Sequence, residues 1–141
     1  MANLGKWNAA EAVTCVLFTE LNGLANNAFS ALSAAFANQT GLDIYCDVEL
    51  LATFPTAPTM GNSMNLYLAP SIDDSNYGTD YGTCIPLAVF PLANVTSEQR
   101  VPAIVITLPP HSVKFRLENK SGQTLGNGAV RIARFDVNLN G

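Results

Sequence analysis

Asp43, Asp47 and Glu49 are the residues of this chain best placed for chemistry. They fall in the stretch 42–54, LDIYCDVELLATF, where apolar and polar residues alternate. A strand turns all three to one face, with the closest two about 7 Å apart. Carboxylates near that spacing can carry out glycosidic acid–base chemistry, one protonating the leaving oxygen while the other attacks or activates water. The wet side of an ordinary strand has the same pattern. No further catalytic feature accompanies the three acids, so the sequence predicts a solvated acidic face.

The other constellations are weaker. Asp73, Asp74, Ser75, Asn76 and Asp80 are rich in the oxygens calcium prefers, but the EF-hand spacing and its glutamate at position twelve are missing. Turns closed by Asx hydrogen bonds are expected there, with no metal. Gly122–Gly126 spells GxTxG, without the strand–turn–helix setting of a nucleophile elbow. His111, the sole histidine, is expected on a loop. Cys15, Cys46 and Cys84 follow no metal or redox spacing and read as reduced core thiols. There is no phosphate loop or dinucleotide fingerprint, so neither catalysis nor a cofactor is predicted. Tyr45, Tyr67, Tyr77 and Tyr81 suit a sugar-stacking platform and protein-interface anchors equally well; the residues leave both open.

The elements that would position these groups are strands. In 42–54, Leu42, Ile44, Cys46, Val48, Leu50, Ala52 and Phe54 share the apolar side. Further strands are expected at 12–20, 62–72, 84–92, 100–108, 111–120 and 129–137. Residues 28–37, AFSALSAAFA, also carry helix-spaced Phe29, Leu32 and Phe36, but the short strands around them favour a strand. Pro86, Pro91 and Pro102 place their strands at edges or bulges, because proline cannot donate to a ladder. Eight strands with turns between them predict an all-β, two-sheet antiparallel sandwich of jelly-roll type, spanning 12–141 behind an N-terminal arm at 1–11.

Composition bears on partners. Only 13% of residues are charged while 48% are apolar, a poor ratio for a small surface standing alone in water, which points to a covering partner. Residues 1–99 hold nine acids and one base, whereas residues 100–141 hold six bases and two acids. Such a chain makes a nucleic-acid groove improbable. No apolar run reaches transmembrane length, and the first residues do not read as a secretion signal.

Four stretches together resemble small virion proteins encoded beside the capsid genes of tailed bacteriophages. They are Gly41-Leu42-Asp43, the run from Asn65 to Asp73 with Asn76-Tyr77, the run from Leu108 to Phe115, and the run from Asn119 to Leu125. The match covers roughly 40–137 and rests on turn and strand signatures. The resemblance implies a jelly-roll decoration or cement protein, made in the host cytoplasm, that sits on the outer surface of an icosahedral head and bridges major capsid protein subunits. It would self-associate, as a homodimer first and a trimer second, and would bind neither nucleic acid nor membrane. Leu4, Trp7, Tyr77 and Tyr81 are the expected contacts. The rival expectation is a tail-fibre or carbohydrate-binding sandwich.

Overall fold

The computed structural model describes residues 6–78 and 84–138. The strands are β1 (Lys6–Trp7), β2 (Thr14–Leu17), β3 (Phe36–Ala37), β4 (Tyr45–Thr53), β5 (Ser63–Pro70), β6 (Ile85–Pro91), β7 (Gln99–Thr107), β8 (Ser112–Lys120), β9 (Asn127–Phe135) and β10 (Val137–Asn138). Eight of them form two four-stranded sheets, β2–β9–β4–β7 and β3–β8–β5–β6, with every pair antiparallel. This is the strand order of a jelly roll, and the expected fold class stands. The remaining two, β1 and β10, pair with each other.

Alternation builds the core. On β4, Cys46, Val48, Leu50 and Ala52 are buried while their neighbours are half-exposed. Met64 and Leu66 of β5 and Val113, Phe115 and Leu117 of β8 meet them from the other sheet with no exposed surface. Each such leucine or phenylalanine contributes about 2 kcal/mol of transfer free energy. The prolines behave as expected: Pro86 and Pro91 lie on β6, Pro102 lies on β7, and both strands are sheet edges.

Three expectations are corrected. The long strand begins at Tyr45, so Leu42 and Ile44 are exposed and do not join the oily side. The cause is Asn38, buried in a single helical turn (Asn38–Gly41), whose Nδ2 donates to the carbonyls of Asp43 and Pro109 at 2.9 and 2.8 Å. These bonds hold the chain out of the ladder, and Leu42 closes the turn at a φ of 55°.

Residues 28–37 are regular only at β3, with one isolated bridge between Phe29 and Glu118. The segment still follows β8. Ser30 and Ser33 donate their N–H groups to Leu117 and Phe115, and their hydroxyls accept the N–H groups of those same two residues at 3.0 and 2.9 Å. A side-chain oxygen thus replaces a backbone carbonyl twice, and neither helix nor regular strand results.

The cysteines are not all core thiols. Cys46 is buried, and burial, with the charge of Asp47 second, pushes its thiol up to about 12. Cys84 is half-exposed, and Cys15 is exposed on edge strand β2. Alkylation of the native protein followed by mass spectrometry is therefore expected to label Cys15 and to spare Cys46 until the chain is unfolded.

Candidate functional site

The outer face of the β2–β9–β4–β7 sheet carries a shallow groove made of two hollows. One, of about 310 Å³, is lined by Val13, Asp47, Glu49, Arg100, Ile104 and Arg131 among others. The second, of about 260 Å³, is lined by Trp7, Asn8, Asp47, Ile104, Val105 and Phe135 among others. They share Asp47 and Ile104, so the groove runs continuously along the sheet face.

An aromatic cluster closes one end. Tyr45 and Phe135 are opposed across β4 and β9 and stack at 5.8 Å with 24° between their planes. Trp7, brought beside them by the β1–β10 pair, stands nearly perpendicular to both, at 5.3 Å from Phe135 and 5.8 Å from Tyr45. More than half of the tryptophan surface, 58%, is open to solvent.

A bulge builds the wall. Between the pairs Cys46–Ile106 and Val48–Ala103, one residue of β4 faces two of β7. The extra residue bends the edge strand and leaves Ile104 and Val105 exposed. Val105 has a φ of 56°, a conformation that a β-branched residue adopts at a cost of about 1–3 kcal/mol. Asp47 holds it there: its Oδ1 accepts the Val105 N–H at 2.8 Å.

The floor is an ion-pair cluster. Glu49 and Arg131 are opposed across β4 and β9, and the guanidinium donates to Glu49 Oε1 from Nε at 3.2 Å and from Nη2 at 2.5 Å. Arg100 approaches Glu49 Oε2 from β7 at 3.6 Å. Asp47 and Glu49 thus share the face expected of them. Asp43 does not: it precedes β4 and sits beside Arg134, with its carboxyl raised above the usual range by burial and by the neighbouring charge of Glu11.

The remaining candidates lie elsewhere. Leu4 and Tyr81 fall outside the described residues. Tyr77 is hydrogen-bonded to Ser112 and lies under the Lys114 ammonium, near the start of β8 and apart from Trp7. Tyr67 packs against Phe29 and donates to Glu118 Oε1 at 3.1 Å, so it is not an open platform. Glu118 itself is buried at that contact, where the alternation of β8 predicts a side chain in solvent. His111 Nδ1 is 3.4 Å from Asp74 at the loop before β8.

Asp73 is a turn residue, as its loop predicts. It accepts the side chain and the backbone N–H of Asn76, the hydroxyl of Ser71 and the N–H of Ser75, and these bonds hold its carboxyl well below the usual range. Its contribution to stability is fully present above the ordinary value of 3.8 and is lost as pH falls below it. Asp73→Ala is accordingly expected to lower the thermal midpoint at neutral pH and to narrow its gap to wild type in acid scans below about pH 3.

The bulge and the Glu49–Arg131 pair escape sequence reasoning. Pro102 is a signal for an irregular edge, but which residue is extra depends on the partner strand. No protein-family model and no curated protein matches this sequence. Among solved structures, it is similar to the CBM36-1 domain of a multidomain xylanase from the hindgut metagenome of Trinervitermes trinervoides, with a TM-score of 0.55 and 12% identity over 86% of this chain and 96% of that one. A carbohydrate-binding module CBM36 in complex with calcium and xylotriose gives 0.49 and 12% over 96% of each chain. A structure of infectious bursal disease virus, Gx strain, gives 0.44 and 10% over 95% of this chain and 32% of that one. At these identities the first likeness establishes the fold.

Proposed function

We propose that this chain is a non-catalytic glycan-binding domain and that the groove on its β2–β9–β4–β7 face is the binding surface. The observation that carries the proposal is an exposed indole at one end of a sheet-face groove floored by planar charged side chains. Sugar rings present C–H faces that stack on aromatics, and hydroxyl pairs that carboxylates and guanidiniums hold in plane. Trp7 supplies the first contact; Asp47, Glu49 and Arg131 supply the second. Both carboxylates are already engaged, Asp47 with the bulge and Glu49 with two guanidiniums, which suits them to hold hydroxyls and not to shuttle protons. The fold is one that a carbohydrate-binding module of a xylanase also adopts, and the reading is consistent with it. A glycan array with the purified chain is the test: retention on a defined sugar supports the proposal, and silence across the array overturns it.

The β6 and β7 strands favour a second reading. From Ile85 to Thr107 the only charged residues are Glu98 and Arg100, and Ile85, Val89, Ile104 and Val105 are exposed. An edge this poor in charge suits contact with another protein. Joined to the resemblance carried by residues 41–43, 65–73 with 76–77, 108–115 and 119–125, it supports a decoration protein on the outside of a phage head, bridging major capsid protein subunits and pairing with its own copies. Co-sedimentation with empty capsid shells decides this reading: chain that stays in the supernatant excludes it.

A further inference from the structure

We infer that the groove takes a neutral oligosaccharide of at least two sugar rings and disfavours chains bearing uronic or sialic acid. The inference rests on the glycan reading above and goes on to ligand charge and length.

Charge comes first. The groove holds two acidic side chains, Asp47 and Glu49, and two basic ones, Arg100 and Arg131. The bases are balanced by these acids, so the groove has no surplus positive charge to draw an anion in. Arg131 directs both Nε and Nη2 at one oxygen of Glu49, and the Nε of Arg100 faces the other oxygen. Glu49 and Arg131 are largely covered, with side-chain exposures of 23% and 33%, whereas Arg100 is 62% exposed. A sugar carboxylate on Arg131 would have to displace Glu49 in a half-buried site, and one on Arg100 would compete with Glu49 for that guanidinium; either brings a third acid beside Asp47. Other cations of the chain are engaged away from the groove: Lys114 over Tyr77, Lys120 beside Glu118, and Arg134 with Glu11 and Asp43. Hydroxyls impose no such exchange. They can donate to the outer lone pairs of the carboxylates and accept from spare guanidinium N–H groups while the ion pair stays intact.

Length follows from the two hollows. The aromatic end lies at Tyr45 and the ion pair at Glu49, four residues further along β4, a distance of about 13 Å at the rise of a strand. A ring seated on Trp7 therefore does not reach Glu49. A second ring, over Asp47 and Ile104 where the hollows meet, is needed to span the site.

The experiment uses the full wild-type chain on an array carrying neutral, uronic-acid and sialylated glycans of graded length, followed by calorimetry of the strongest hit at low and high salt. The expected result is retention on neutral chains, a gain of about tenfold or more from one ring to two, and an affinity that changes less than about twofold with salt. A preference for acidic glycans that weakens with salt overturns the inference and leaves the glycan reading standing. A single ring bound as tightly as a longer chain overturns it as well. Silence on every glycan removes both together.

Discussion

Replacing Asn119 with alanine is expected to lower the stability of this protein by about 4 kcal/mol, a fall of about 10 °C in its thermal midpoint. The side chain has no solvent exposure. Its Nδ2 donates to the carbonyls of Leu24 and Gln123 at 2.9 and 2.8 Å, and its Oδ1 accepts the Ser121 N–H at 3.0 Å. Its own backbone exchanges two further bonds with Ala28 and Asn27. One amide thus ties the end of β8 to the loop before 28–37 and to the turn before β9. Alanine leaves the Ser121 N–H buried without a partner, at a cost of about 1–3 kcal/mol. It also removes one of the two bonds held by each carbonyl, Leu24 keeping the Leu125 N–H and Gln123 the Ser121 hydroxyl, at about 1 kcal/mol each. Aspartate is no remedy, since it cannot donate to the carbonyls. Circular dichroism on heating reads the effect, and a drop of only a degree or two would show that water takes over the vacated bonds.

Trp7→Ala is expected to weaken glycan binding by about tenfold or more while moving the thermal midpoint little. The two effects separate because the indole is largely open and stands on a two-residue strand, so few core contacts depend on it. Tyr45 and Phe135 remain stacked without it, but they lie lower in the groove and offer less exposed ring. Trp7→Phe keeps a ring and is expected to fall between wild type and alanine. Calorimetry with the best array ligand measures all three. Equal affinity in wild type and Trp7→Ala would move the site off this end of the groove.

How legible the molecule is depends on how local each cause is. The jelly roll can be read because its strands alternate within themselves: Cys46 to Ala52, Met64 to Leu68 and Val113 to Leu117 announce their buried sides without reference to a partner. The start of β4 cannot, because the residue that sets it, Asn38, acts across the loop on Asp43 and Pro109. Residues 28–37 mislead for a related reason. Ser30 and Ser33 look like ordinary polar positions, and their role as ladder acceptors exists only beside β8. The site shows the same division. Trp7, Asp47 and Glu49 stand out by residue type, whereas Arg131 and Ile104 join them only through pairing across β4, β7 and β9.

The order β2–β9–β4–β7 also governs how the chain is made. As the polypeptide leaves the ribosome, β4 emerges long before the strand that must lie between it and β2. One edge of β4 has no partner until residues 127–135 have been synthesised. Topologies of this kind fold in milliseconds to seconds, slower than helical chains of like size. A nascent chain in that interval is a natural client for a chaperone, and a truncation before β9 would yield aggregates and not a smaller domain.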